Sequence, residues 1–421
     1  MENNKNWAGN YTYSATEFHI PEHVEEIQEL VARSKQIKVL GTRHSFNGIA
    51  DSTGSQISLQ KLNRVIALDR GRQKVTVEGG IRYGELASYL YDEGYAIHNL
   101  ASLPHITVAG ACATASHGSG DRNGNLATVL DAIEVVQANG EIVEYSRQNG
   151  LAGAAVGLGG LGVITKLTLD VIPSFQVSQQ VYENLPLAQL EEHFDHIFSS
   201  AYSVSLFTDW RNGNINQVWL KQNLSELSDA ANAQLGTEFY GAKQAAAPRH
   251  PVDGITAENC SEQMGIPGPW HERLAHFKMA FTPSAGEELQ SEYFVSRQDA
   301  YAALCALDRI SERISPLLFI SEIRTIAKDQ LWMSPNYERE SVAIHFTWKP
   351  DWEAVRQVLP LIEAQLAPFA ARPHWAKLFT MQPAQLQPLY EKLGDFRELL
   401  LQGDPQGKFR NTFLETYVMG K

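Results

Sequence analysis

Glu322 and Arg324 stand two residues apart in the run 317–326, and His345 and Thr347 repeat that spacing in 341–348. Gln290 and Glu292 do so again in 289–295. Side chains at i and i+2 of an extended strand share one face, so each pair projects to the same side of a sheet. Ile344, Phe346 and Trp348 alternate with His345 and Thr347 and face the other way. Lys377 falls in Ala376-Lys377-Leu378-Phe379, which also reads as strand. A face of Gln, Glu, Arg, His, Thr and Lys is either a washed outer surface or a wall that hydrogen-bonds several hydroxyls at once. His and Arg beside Trp and Phe fit the covered wall better. An unmet buried polar group costs about 1–3 kcal/mol, so such a wall would reject an analogue that lacks a hydroxyl it pairs with.

A second chemistry lies in the N-terminal half. Gly41-Thr42-Arg43-His44-Ser45-Phe46-Asn47 is an abrupt turn after the short strand-like run Ile37–Leu40, and Gly79-Gly80 ends another such run. Ala109 through Gly120 is poor in bulk and rich in hydroxyls and glycine. Small residues let backbone N–H groups approach an anionic ligand, so these loops suit a diphosphate, although any one of them alone reads as an ordinary turn. His44 can project from its turn toward a bound ring system, and a neutral imidazole nitrogen is a nucleophile near pH 7. Gly157-Leu158-Gly159-Gly160-Leu161-Gly162 matches G-x-G-x-x-G, but the alternating β-branched run from Val163 follows it where a dinucleotide fold needs a helix. A nicotinamide site is rejected. His193-Phe194-Asp195-His196 reads as a polar helical turn and His271-Glu272 lacks the rest of a zinc motif, so no metal is expected.

The elements that must carry these residues alternate. Pro21 fits a first helical position, with Val24, Ile27, Leu30 and Val31 at helical spacing behind it. Strands are expected at Ile37–Leu40, Val65–Leu68, Lys74–Val77 and Val163–Val171, a helix with Leu86, Ala87 and Leu90 inward, and a hairpin over 132–145 turning at Asn139-Gly140. After Ile172-Pro173 longer strands appear, at 202–210, 217–221, 289–295, 317–326 and 341–348, with helices over 299–314 and 351–366. The stretch 225–269, rich in Ala, Gly and Pro, reads as loop. The class expected is α+β, with a substrate domain built on a large, mainly antiparallel sheet.

With 421 residues, two domains are the natural prior. Net charge is −13 without a basic run, which argues against nucleic-acid binding. No window approaches the length of a membrane span, and the N-terminus lacks the apolar stretch of a secretory signal. Cys112, Cys260 and Cys305 form no C-x-x-C pair and suit a reducing cytoplasm. A monomer is the default expectation.

The His44 turn, Gly79-Gly80 and the loop Gly110–Gly120 together resemble the flavin domain of the vanillyl-alcohol oxidase (PCMH-type FAD-binding) superfamily. Further runs narrow the resemblance to its alditol (xylitol) oxidases: Asn6–Asn10, Ala101–Ile106, Tyr202–Trp210, Gly268–Arg273, Glu322–Thr325, His345–Trp348 and Ala371–Trp375. It implies an FAD-binding domain over 1–175, a substrate-binding domain over 176–375, and a C-terminal segment, 376–421, that returns to the flavin. It implies FAD bonded covalently to His44 and contacted by Gly41, Thr42, Arg43, Ser45, Ala101, Ser102, Val108, Gly110, Ala113, Thr114, Gly118, Gly162, Ile164 and Asn411. His117 either joins that set or packs against the glycine loop. The polyol site implied is Ser102, Gln290, Glu322, Arg324, His345, Thr347 and Lys377. The reaction expected is hydride transfer from the terminal carbinol carbon of xylitol or sorbitol to flavin N5, with dioxygen as final acceptor and hydrogen peroxide as product. His345 is the preferred base, Lys377 the alternative, and Glu322 paired with Arg324 orients the substrate. A sugar-lactone oxidase, or a flavin dehydrogenase with another acceptor, is the alternative of the same fold, which Ala101 at the flavin's reactive edge does not decide. A carbohydrate-binding protein without chemistry would leave the His44 turn unexplained.

Overall fold

The computed structural model describes residues 4–226, 236–279 and 288–420. Three strands pair in parallel near the N-terminus, Glu17–His19 and Ile37–Val39 flanking Ser55–Ile57. A five-stranded antiparallel sheet follows, in the order Val65–Asp69, Lys74–Glu78, Val163–Asp170, Leu130–Val136, Ile142–Ser146. Its central strand, Val163–Asp170, alternates buried and half-buried side chains, which is the period-two pattern of a sheet with one covered face. The glycine-rich run before it is a turn leading into this strand, so no helix opens there. Helix Leu393–Gly403 contributes Leu393, Phe396 and Leu400 to the same core as Val135, Leu151 and Leu167.

The second unit is a ten-stranded sheet. At its centre lie Ser203–Thr208, Leu318–Ile326, Ser341–Trp348 and Leu289–Ser296, all antiparallel neighbours in that order. Ile344, Phe346 and Trp348 are buried against the residues of helices Ala300–Asp308 and Trp352–Leu366, among them Leu304, Leu359 and Ile362. Since successive side chains alternate, His345 and Thr347 are turned to the opposite face, toward the first unit. No described helix is long and apolar enough to cross a membrane.

Several elements differ from their sequence reading. The first helix is Val24–Arg33, entered through an extended His23, so Pro21 stands outside it. The helix read over 299–314 is broken by Ile310 (φ −111°, ψ 15°) into Ala300–Asp308 and Ser311–Ile314. Within 225–269, strands Glu238–Phe239 and Ala242–Gln244 extend the large sheet, while 227–235 lie outside the described residues. Ala376–Phe379 is not a strand: Trp375 and Ala376 form a turn closed by the Lys377 N–H donating to His374 O (3.0 Å), after which Leu378 N donates to Gln290 O (2.9 Å). Cys112 and Cys260 are buried, Cys305 half-buried, and all are free.

Candidate active site

A cavity of about 1220 Å³ lies between the polar face of the large sheet and the N-terminal loops. Its loop side is built on the His44 turn. Arg43 adopts a left-handed conformation (φ 65°), and among the described residues the N–H groups of Thr42, His44 and Ser45 donate to no protein acceptor. Successive free N–H groups about a left-handed residue form a concave anion cradle. The turn is held from outside: Asn6 Nδ2 donates to Ser45 O and Asn10 Nδ2 to Phe46 O (both 2.9 Å), and the Trp7 ring stacks on His44 at 5.2 Å. That is the work of the run Asn6–Asn10, which the sequence showed only as a resemblance. Close approach is enforced at Gly80, where an added Cβ would lie 1.9 Å from Leu59 O.

His44 Nδ1 lies 2.9 Å from Thr42 O and 3.0 Å from Thr42 Oγ1. Burial pushes its pKa down to about 4, so the ring is neutral at pH 7 and keeps a nitrogen lone pair. Gly41, Thr42, Arg43, Ser45, Ala101, Ser102, Gly110, Ala113, Thr114, His117, Gly162 and Ile164 all line the cavity with it. Val108, Gly118 and Asn411 do not: Val108 is a core residue, and a Cβ on Gly118 would meet Leu100 O at 2.4 Å. Asn411 Nδ2 instead reaches Gly48 O (2.9 Å) and Asp51 O (2.8 Å), tying the C-terminal segment to the chain just past the His44 turn. An open cradle of N–H groups and a cavity of this size fit a bound dinucleotide.

The sheet side brings together Gln290, Glu322, Arg324, His345, Thr347 and Lys377. Glu292, fully buried, is their hub. It accepts from Arg324 Nη2 (3.0 Å) and Lys377 Nζ (2.7 Å), and His117 Nε2 approaches it at 3.4 Å. Arg324 also donates to Ser102 Oγ (3.2 Å), joining the sheet to the loop side. Its contact with Glu322 is looser, Nε to Oε1 3.5 Å, so the Glu322–Arg324 pair expected from spacing is secondary to Arg324–Glu292. Cross-strand order explains this: Glu292 and Glu322 flank His345 on either side, and the guanidinium reaches both.

Lys377 owes its place to the turn that replaces the expected strand. Phe46 N donates to Ala376 O (2.8 Å), and Asn47 Nδ2 to Trp375 O and Lys377 O (2.9 Å each). The His44 turn and the Lys377 turn are therefore one hydrogen-bonded unit. Lys377 Nζ lies 2.8 Å from His345 Nδ1, and His345 Nε2 lies 3.1 Å from Thr347 Oγ1. Burial, with Lys377 beside it, lowers His345 to about 3. Burial also lowers Lys377, although Glu292 opposes. Burial alone would raise the carboxyls; Lys377 and His117 outweigh it at Glu292, Arg324 and His276 at Glu322, and both are held well below the usual range. The site thus carries ionised carboxylates against buried cations, with neutral imidazoles between. His276, His374 and Glu288 also line it. His276 and His374 escaped the sequence reading because they lie outside the alternating runs of the polar strands, whereas Glu288 continues the Gln290–Glu292 alternation one step beyond the run read as strand.

Comparison with known proteins bears on this geometry. A family model described as FAD binding domain matches residues 17–146, and one described as D-arabinono-1,4-lactone oxidase matches residues 279–417. The chain is 46% identical to an alditol oxidase of Streptomyces sp. (strain IKD472 / FERM P-14339), over 99% of both chains. It is 27% identical to L-gulonolactone oxidase of Mus musculus, over 98% of this chain and 97% of that one. Two solved structures share the fold. Cholesterol oxidase from B. sterolicum has a TM-score of 0.76 at 14% identity, covering 98% of this chain and 96% of that one. Carbohydrate oxidase from Microdochium nivale has 0.75 at 16%, covering 96% and 92%.

Proposed function

The chain belongs to the alditol oxidase family, and from that we propose that it oxidises the terminal primary alcohol of a polyol such as xylitol or sorbitol to the aldose, with dioxygen reduced to hydrogen peroxide. It is an FAD-dependent oxidase acting on CH–OH donors. The observation that carries the substrate reading is the wall of Gln290, Glu292, Glu322, Arg324, His345, Thr347 and Lys377 facing one cavity with the loops of the FAD-binding domain. Donors and acceptors interleave along it, as a chain of hydroxyls requires.

Bound FAD supplies the acceptor for the carbinol hydride, and its reoxidation by dioxygen yields the peroxide. The chain's own residues handle the proton. With Lys377 protonated, its N–H fills His345 Nδ1, which leaves the imidazole hydrogen on Nε2 and no lone pair for a substrate. Loss of one proton from Lys377 reverses this: Nδ1–H donates to the amine, and Nε2 offers a lone pair beside Thr347. His345 Nε2 then takes the hydroxyl proton while Nδ1–H passes to Lys377, whose ammonium is received by Glu292. Glu322, Arg324 and Ser102 hold the remaining hydroxyls.

This assignment sets a pH dependence. The active form is the deprotonated pair, and burial places Lys377 below the ordinary lysine value. Stopped-flow flavin reduction by xylitol is therefore expected to rise with pH to a plateau and to fall tenfold per unit on the acid side. A rate that is flat, or that falls as pH rises, would remove the pair from the proton transfer.

We further propose that His44 is the covalent attachment point of the flavin, supported by its neutral ring inside the cradle. After acid precipitation, yellow colour should stay with the wild-type polypeptide and pass to the supernatant from His44→Ala. Release from the wild type would cancel the linkage and leave the fold intact. The match over 279–417 keeps a sugar-lactone oxidase as the second reading. Peroxide assays with xylitol and with L-gulono-1,4-lactone separate the two, since a clear preference for the lactone would overturn the polyol assignment.

A further inference from the structure

Lys221, fully buried on strand Asn214–Asn223, is absent from the reaction as derived so far. Its Nζ has three acceptors: Leu274 O (2.5 Å), Ala275 O (3.1 Å) and His276 Nδ1 (3.1 Å). The opposite ring nitrogen, His276 Nε2, lies 2.6 Å from Glu322 Oε1. The backbone of the same segment bonds to the loop side, His276 N donating to Ser102 O (3.1 Å). Three acceptors match the three N–H bonds of an ammonium. Burial pulls Lys221 toward about 7, yet in either protonation state Nζ keeps an N–H to donate to Nδ1.

The Glu322 carboxylate settles the tautomer, because it can only accept from Nε2. With Nδ1 filled by Lys221, the imidazole hydrogen sits on Nε2 and is donated to Glu322 Oε1. Among the described residues every contact of the Glu322 carboxylate is to Oε1, from His276 and more distantly Arg324 Nε, so Oε2 is left as the acceptor toward the cavity. Stacking fixes the ring as well: His276 meets Trp219 edge-on at 5.3 Å and Phe207 at 5.7 Å. Across the sheet, Glu322 is the neighbour of His345 on the side away from Glu292 and Lys377. A row therefore crosses the face from Lys377 through Glu292, His345, Glu322 and His276 to Lys221, with a lysine at each end.

We propose that the buried Lys221–His276 pair is a positioning device that locks Glu322 as the acceptor for a substrate hydroxyl displaced along the chain from the reacting one, and so sets selectivity for polyols over short diols. The proposal rests on the polyol reading above and adds the residues that enforce it. Without the pair, Glu322 loses its one close donor among the described residues, its carboxylate can rotate, and the hydroxyl it accepts from is matched less well. The reacting end, served by Lys377 and His345, is touched by neither residue.

The test compares kcat/KM for xylitol with that for 1,2-propanediol, which keeps the reacting end and lacks the remaining hydroxyls. Wild-type enzyme, His276→Leu, His276→Gln and Lys221→Met are each assayed as FAD-loaded protein, with flavin content read from absorbance. In His276→Leu the xylitol-to-diol ratio is expected to fall about tenfold or more, the loss associated with one unpaired buried hydrogen bond. Lys221→Met should fall in the same direction, and His276→Gln, which keeps an N–H for Glu322, should recover most of the ratio. A merely structural role would lower flavin content and both kcat/KM values together and leave the ratio at its wild-type value. That outcome, or a glutamine variant no better than leucine, overturns the proposal while the polyol reading stands. Wild-type protein that oxidises neither compound overturns both.

Discussion

His345→Ala is expected to slow the anaerobic bleaching of flavin by xylitol by roughly 10²–10⁴-fold, the span of one positioned general base. Flavin content should stay at the wild-type level, because His345 stands on the sheet side of the cavity and its hydrogen-bond partners among the described residues are Thr347 and Lys377. Lys377→Met should cost a similar factor, since without the amine the His345 Nδ1 hydrogen is left only the Glu292 carboxylate, whose Oε1 lies 3.6 Å away, beyond hydrogen-bond length. The double variant should then be little worse than either single one. Groups that pass one proton act as a unit, and their losses do not add. Stopped-flow absorbance of the three proteins at one saturating xylitol concentration measures all three rates. Losses that multiply in the double variant would show two independent roles, and an unchanged rate in His345→Ala would remove it from the mechanism.

The largest stability effect is expected at Arg324. Its guanidinium touches Glu292, Glu322 and Ser102, and both carboxylates are buried and ionised. Arg324→Met keeps the volume of the stem and removes the charge. Lys377 and His276 remain for the two carboxylates, but each loses its shared cation while buried. Breaking one side of a buried ion pair costs about 3–5 kcal/mol. The variant should melt well below the wild type at pH 7. Acidification should narrow the gap, because protonating Glu292 or Glu322 removes the stranded charge. The sign is fixed by linkage: both carboxyls are depressed in the folded wild type, so their contribution is present above the unfolded value near 4.5 and is lost as pH falls. Thermal melts of both proteins from pH 7 to pH 4 would check this. A gap constant across that range would mean that packing, and not charge, holds Arg324.

The polar wall was legible before folding because strand periodicity is a local rule. Glu322 with Arg324, His345 with Thr347, and Gln290 with Glu292 each share a face whatever the sheet pairs with, and the register then set the three pairs on the same face. The same logic rejected a nicotinamide site at Gly157–Gly162, since strand Val163–Asp170 follows directly. Lys377 reached the site by another route than its residue pattern suggested. Ala376–Phe379 looked like a strand, but the backbone there closes a turn, and its partners are Phe46 and Asn47, some 330 residues away in sequence. No periodicity encodes such a contact. His276 and Lys221 were invisible for a related reason. Lys221 lies on a strand whose alternation says only which face it shares, and His276 lies in a loop.

The sequence by itself determined the α+β class, the alternation that puts acid, base and hydroxyl groups on one sheet face, and the small-residue turns that can cradle a diphosphate. Each follows from chain geometry over a few residues, where backbone sterics and side-chain size are sufficient. The tertiary structure alone decided which charges meet. Strand order set Glu292 and Glu322 on either side of His345, so Arg324 binds Glu292 more closely than the glutamate two residues before it. It also decided that the wall is covered, by loops of the other domain anchored through Ser102 and Asn47. Burial then gave those groups their protonation states, because the cost of charge away from water depends on every neighbour in space and on none in sequence.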